Sequence, residues 1–257
     1  MNTHVNSIRT GPRGGTPIVF IHALGLDLSI WEHQVEEFGR DNDVICVDLP
    51  GHGLSSPTLG RPTFPSLALI LEDFLTGLSI SSVDVVGISI GGMVAQALAV
   101  TAPTVVRSLT LVATNCTFSE EVRHILQKRG LFARLEGMET ITPLHLERWF
   151  PADFRAKHPH VIDRLRKILL SNNKDFHADM WDMVSTLDFE ARLAAVICPV
   201  LIIAGQDDPS APPASGQLIA DCVPDATLHV MPQCVHFPPI EYPVEFNTLL
   251  RTFINQR

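Results

Sequence analysis

Charge is scarce in this sequence. Only 18% of its 257 residues are charged, whereas 46% are hydrophobic. That balance supplies enough apolar side chain for a large core and suits one α/β domain carrying an insertion. Basic residues are scarcer than acidic ones: 19 Lys plus Arg face 28 Asp plus Glu, a formal charge of −9. A field of that sign repels polyanions at long range, which argues against a nucleic-acid partner. It does not exclude a small acidic ligand, because a locally basic pocket outweighs a distant global charge.

Cysteine is sparse and unpatterned. The five residues Cys46, Cys116, Cys198, Cys222 and Cys234 are odd in number and contain no CxxC spacing, so no zinc site and no disulfide framework is expected. Cys46 and Cys198 lie in or beside apolar runs and read as inert core thiols, Cys234 as a half-buried loop thiol. Long apolar runs are also missing. Met1 to Gly15 is polar and holds no h-region, and no stretch reaches the length of a membrane span. The expectation is a cytoplasmic, unanchored protein, without internal repeats or low-complexity segments.

What the sequence does have is one turn around which the rest is arranged. In Val85-Val86-Gly87-Ile88-Ser89-Ile90-Gly91-Gly92 a β-rich run stops at a serine and a helix-forming run, Met93 to Ala99, begins. Such a turn lifts the serine oxygen clear of the backbone and sets it near the free N–H groups of a helix start. Glycines two before and two after make the turn sterically possible. A plainer reading also fits these residues: a glycine-rich turn that lets helix pack on strand, or that cradles an anion.

Taken in order, Ile18 to Ile21, Asp43 to Asp48, Val83 to Ile88 and Val105 to Ala113 read as strands, with helices near Trp31 to Phe38, Phe64 to Leu78 and through Ala99 between them. Alternation of this kind demands a mostly parallel sheet with right-handed crossovers and helices on both faces. Residues 117–193 break the rhythm, with helix-like segments near Glu120 to Leu135, Pro159 to Leu170 and Phe176 to Val184 and no convincing strand. They are expected to form a helical cap over the serine, inserted before the next strand, with 1–116 and 194–257 as the core. The core resumes with a strand at Pro199 to Ala204, a helix at Ala214 to Cys222, a strand at Thr227 to Met231 and a helix at Val244 to Asn255.

A serine hydroxyl needs a base, and the base needs an acceptor that fixes its tautomer. Asp207-Asp208 follows the strand ending at Ala204, and His236 follows the strand ending at Met231. The order Ser, Asp, His is the one expected with a turn of this type. Of the two aspartates, Asp208 sits later in its turn, where its side chain can point back to the sheet edge; Asp207 reads as solvated. His22, directly after a buried strand, is read as shaping its loop through backbone hydrogen bonds rather than as the base. The amides of Leu24 and Ile90 are the candidate donors to an oxyanion.

Together these residues resemble the α/β-hydrolase superfamily over nearly the whole chain. Asp48 to Ser55 is similar to its DxxGxGxS segment, and Gly205 to Pro212 to its GxxDxxxP acid loop, which again selects Asp208. Within the superfamily the chain looks most like 3-oxoadipate enol-lactonases, through Ala23-Leu24-Gly25, Gly137-Met138-Glu139, Leu146 to Phe150 and Gly205 to Pro213. It departs from them at His22-Ala23, where His-Gly is common, and in the loop from Val235 to Glu241. The resemblance implies hydrolysis of a small-molecule ester or lactone without cofactor or metal. It also makes Arg148 and Trp149 candidates for substrate contact from the cap, Arg148 to a carboxylate; a solvated helix face and a cap-core aromatic are the competing readings.

The expected function is a serine hydrolase working through an acyl-enzyme on Ser89, as a monomer or homodimer with no membrane partner. Carbon–carbon bond hydrolysis uses the same three residues. A slow-turnover ligand receptor of the same fold is the alternative from another class, and a cofactor-free haloperoxidase a weaker third.

Overall fold

The structure, a computed structural model, describes residues 3–256. Its centre is a seven-stranded sheet that starts with an edge strand the sequence did not suggest. β1 (Ser7–Thr10) runs antiparallel to β3 (Val44–Val47), while β2 (Ile18–Ile21) lies parallel to β3 on its other side. β1 is short and polar, so hydrophobic patterning misses it. Arg9 fixes it by donating from Nε to Asp43 Oδ1 at 2.9 Å and from Nη2 to Oδ2 at 2.6 Å. In β2 and β3 every residue is buried, as expected for strands covered on both faces.

The chain then follows the expected alternation. α1 (Glu32–Phe38) lies between β2 and β3, and α2 (Phe64–Gly77) precedes β4 (Val83–Ile88). α2 begins at a capping box in which Thr63 and Ser66 satisfy each other's amides. α3 (Ile90–Thr101) leads to β5 (Val106–Val112). The order across the sheet is β1-β3-β2-β4-β5, continued by β6 (Val200–Gly205) and β7 (Ala226–Met231), with every pair after the first parallel. Strand order reverses between β2 and β4, so the loops leaving their carboxyl ends diverge and open a crevice there.

Side-chain alternation along the strands builds two apolar layers. Val19, Ile21, Ile45, Val47 and Val85 face α2 and α3, whereas Ile18, Phe20, Val44, Cys46 and Val86 pack with Trp31, Phe38, Phe246 and Leu250. Cys46 and Cys198 are buried in these layers.

Between β5 and β6 lies the helical cap: α4 (Glu120–Trp149), α5 (Ala152–Lys157), α6 (Pro159–Ser171) and α7 (Lys174–Val184). α4 differs from the expectation. Its first segment does not stop near Leu135 but bends at Gly137, where φ is 79° and ψ 172°, and a second helical stretch carries on through Pro143 to Trp149. Only a residue without a Cβ adopts that backbone readily, so the glycine turns one long helix into two arms. An isolated antiparallel bridge, Thr117 to Asp188, closes the base of the insertion. Arg123 ties the base further, donating to the carbonyls of Phe118, Ser185 and Leu187 at 2.7 to 3.0 Å.

The chain ends with α8 (Pro213–Cys222) before β7, the short α9 (Pro238–Glu241) and α10 (Pro243–Asn255). Among the described residues no helix is long and apolar enough to cross a membrane.

Candidate active site

Ser89 occupies the turn between β4 and α3 with φ 54° and ψ −118°, a region an L-residue enters only under constraint. Close backbone approach supplies the constraint. A Cβ at Gly87 would stand 2.4 Å from Gly91 O, and one at Gly91 would stand 2.3 Å from Ile21 O. Both glycines are therefore required for α3 to start against β2. Ser89 N donates to Val112 O at 2.9 Å, and Thr114 Oγ1 donates to Ser89 O at 2.7 Å. These bonds grip its main chain and leave the side chain to the crevice.

His236, in the loop after β7, shares a hydrogen bond of 2.7 Å between its Nδ1 and Asp208 Oδ2. Both side chains are almost wholly buried, at 3% and 0% exposure. Asp208 Oδ1 accepts the amide of Ser210 at 2.7 Å, so both carboxylate oxygens are committed and the group cannot swing away. Asp207, its neighbour, is exposed. With Nδ1 donating to Asp208, His236 keeps Nε2 free as an acceptor.

Ser89, Ile90, Leu24 and His236 line one cavity of about 680 Å³ between sheet and cap. The amides of Leu24 and Ile90 donate to no other group among the described residues. Asn172 on the cap donates from Nδ2 to Gly25 O at 2.8 Å, which holds the Leu24 loop in place.

His22 is unfit as a base. Its Nδ1 donates to Ala23 O at 2.8 Å and its Nε2 accepts the Leu49 amide at 2.8 Å, so neither nitrogen is available. Burial holds its pKa below the ordinary histidine value.

Arg148 and Trp149 both line the cavity, yet they also fasten the two loops that carry Asp208 and His236. Arg148 donates from Nε to Ser210 Oγ and from Nη2 to Pro209 O, each at 2.7 Å. The Trp149 carbonyl accepts the His236 amide at 3.3 Å, and the two rings stack with centroids 6.4 Å apart. Arg148 is half-buried against the acid loop, and Trp149 is buried among apolar residues of the cap.

Sequence reasoning missed Glu241. Its carboxylate accepts the amide of Val235 at 3.0 Å and that of Phe237 at 2.8 Å, the residues on either side of His236. Only the sequence distance of a single helical turn hinted at this, since a carboxylate in the first turn of a short helix can reach back to the preceding amides. Cys234 also differs from the expectation: it is fully buried, with Sγ 3.7 Å from Glu241 Oε1. Burial and that carboxylate push its pKa far above the ordinary thiol value, so it stays a protonated, inert thiol. No cluster of three or more His, Cys, Asp or Glu side chains suited to a metal occurs among the described residues.

Known proteins share this architecture. The chain is 29% identical over 230 residues to 3-oxoadipate enol-lactonase 2 of Acinetobacter baylyi, covering 90% of this chain and 85% of that one. It is 30% identical over 253 residues to a pimeloyl-[acyl-carrier protein] methyl ester esterase of Chromobacterium violaceum, covering 96% and 95%. The crystal structure of the enol-lactonase from Burkholderia xenovorans LB400 superposes with a TM-score of 0.93 at 27% identity, covering 98% and 97%. The model of the alpha/beta hydrolase family matches residues 18–249, and the chain belongs to that family.

Proposed function

We propose that this protein is a serine hydrolase that cleaves a carboxylic ester or lactone through an acyl-enzyme on Ser89. The observation that carries the proposal is the buried 2.7 Å contact between His236 and Asp208, opening onto the same cavity as a serine held at positive φ.

In this mechanism Ser89 Oγ attacks the carbonyl carbon while His236 Nε2 takes its proton. Asp208 keeps the imidazole in the Nδ1–H tautomer and stabilises the imidazolium that forms. The amides of Leu24 and Ile90 receive the oxyanion; loss of one such donor typically costs about 3 kcal/mol of transition-state stabilisation. The tetrahedral intermediate collapses, His236 returns the proton to the leaving alkoxide, and the acyl group stays on Ser89. Water, deprotonated by His236, then repeats the attack and releases the acid. In a lactone the leaving oxygen is part of the same molecule, so the ring opens and a single hydroxy or oxo acid departs after deacylation.

The relatives point to the same bond type. One is named for an enol-lactone and another for a methyl ester, and both bonds yield to one set of residues.

The test is hydrolysis of p-nitrophenyl acetate and of small unactivated esters by the native protein and by Ser89→Ala. Turnover by the native protein, preceded by a burst of nitrophenol and lost at least 10³-fold in the variant, is expected. Equal rates in the two proteins would refute the assignment.

A further inference from the structure

The second arm of α4 sets one imidazole into the wall of the cavity. His145 lines that wall between two tryptophans. Its ring stacks on Trp149 with centroids 4.9 Å apart at an interplanar angle of 21°, and on Trp181 at 6.0 Å and 7°. His177 meets it in a T-shaped contact at 5.4 Å, and His177 Nε2 in turn accepts the indole N–H of Trp181 at 3.1 Å. Three rings, two of them tied to each other, therefore fix the orientation of the fourth. Trp149 stacks on His236 at 6.4 Å, so an indole separates His145 from the proposed base and the two imidazoles do not share a proton.

A phenyl ring would fill this slot at lower cost. Nε2 of His145 is shut away from solvent without a partner among the described residues, a penalty that a hydrocarbon ring avoids. What the imidazole adds is Nδ1, the nitrogen left to the cavity. The ring is neutral at ordinary pH, since burial, Arg129, Arg148 and His236 together lower its pKa to about 4. A neutral imidazole carries one N–H and one lone pair, so Nδ1 is a donor in one tautomer and an acceptor in the other. A hydroxyl answers both states because it donates and accepts. A carbonyl oxygen answers only the N–H; an ammonium answers only the lone pair, and the two guanidinium groups nearby repel it.

We infer that His145 Nδ1 is a hydrogen-bonding subsite for a hydroxyl group carried on the substrate several carbons from the scissile bond. The inference rests on the serine-hydrolase reading for which bond is cleaved, and it names the class of molecule: hydroxylated esters or lactones in preference to their unsubstituted counterparts. The apolar part of the wall, with Phe118, Val122 and Phe132, buries the carbon chain and supplies affinity. Discrimination comes from the hydroxyl, because a chain that ends in a methyl group leaves Nδ1 unpaired in a site closed to water.

The experiment compares esters of six, eight and ten chain carbons with and without a terminal hydroxyl. Each length is made both as the methyl ester of the hydroxy acid and as the acetate of the diol, so that either side of the scissile bond can reach His145. For the native protein kcat/KM is expected to favour the hydroxylated ester by at least fivefold at one length in one series, although the hydroxyl makes the chain less apolar. In His145→Phe, which keeps the stacking, that ratio should fall to unity or below; His145→Gln, which restores a donor and an acceptor, should recover part of it, and His145→Leu repeats the loss if the phenyl variant does not fold. In the Ser89→Ala background, where no turnover is expected, the hydroxylated ester should raise the melting temperature more than its counterpart, and adding His145→Phe should erase the difference. A native protein that prefers the unsubstituted ester at every length, or a preference that survives in His145→Phe, overturns the subsite. If no ester is cleaved but the hydroxylated ones still stabilise Ser89→Ala through His145, the hydroxyl site stands and the hydrolase reading falls; if neither cleavage nor that difference is seen, the subsite falls too.

Discussion

The carbonyl of Trp149 accepts the amide of His236 at 3.3 Å, which joins the last residue of the longest cap helix to the loop of the proposed base. Arg148, one residue earlier, does the same for the acid loop through Ser210 Oγ and Pro209 O. The end of α4 is thus a clamp across both loops, and the cap has a positioning role in addition to covering the cavity. Positioning errors of about 1 Å cost on the order of 10²-fold in rate.

Arg148→Met tests the clamp. The variant keeps much of the apolar stem of the side chain but loses both bonds to the acid loop. With a neutral ester, kcat is expected to fall roughly tenfold or more while KM changes little. A rise in KM at constant kcat would mean that Arg148 acts on substrate alone.

Glu241 should matter through the main chain. It accepts the amides that flank His236, and no substitute can accept both with equal charge. Glu241→Gln replaces one acceptor by an NH2 that faces a donor, leaving a buried amide unsatisfied at a cost of about 1–3 kcal/mol. Urea denaturation should show that loss, and kcat should drop with it as the His236 loop loosens. A variant of native stability and native rate would show that the flanking amides do not depend on the carboxylate.

Acid should destabilise the fold through histidines rather than carboxylates alone. His52 is buried, with its pKa lowered to about 3 by burial and by neighbouring His22, and its Nε2 has no partner. His22 and His177 are likewise buried and depressed. Each is neutral in the folded state but titrates near its ordinary value of about 6.5 when unfolded. Between that value and the folded pKa the unfolded chain binds more protons, so stability is full above pH 6.5 and declines as pH falls. The decline should exceed the one-proton slope of about 1.4 kcal/mol per pH unit between pH 6 and 4. Urea titrations at stepped pH measure the slope, and His52→Phe, which keeps a ring against His22 and Phe176, should reduce it by about one proton. An unchanged slope in the variant would assign the acid lability to other groups.

The central strands were readable because burial on both faces leaves no room for polar residues, as in Ile18–Ile21 and Val44–Val47. The turn at Ser89 was readable because two glycines at fixed offsets have few other uses so close to a strand end. β1 was not, since an edge strand held by Arg9 on Asp43 needs no apolar pattern. The second arm of α4 hid behind Gly137 and Pro143, which locally argue for a break; tertiary packing of Met138, Ile141 and Leu146 overrides them. The Pro209 carbonyl that Arg148 meets and the amides that Glu241 accepts are main-chain atoms of the acid loop and the His236 loop. A main-chain acceptor or donor has no residue signature, so such contacts leave no trace in a sequence.

Strain at Ser89 gives the most direct check on the turn itself. The residue holds φ 54° and ψ −118°, a conformation that costs an L-residue about 1–3 kcal/mol and costs glycine little. Ser89→Ala keeps the Cβ and therefore the strain, whereas Ser89→Gly removes it and pays about 0.5–1 kcal/mol in unfolded-chain entropy. The glycine variant should be the more stable of the two by about 1 kcal/mol in urea denaturation, although both lack the proposed nucleophile. Such an ordering would mean that stability is given up at this position to hold a side-chain oxygen over the cavity. The opposite ordering would mean that the backbone is relaxed there, and the turn would then need another explanation.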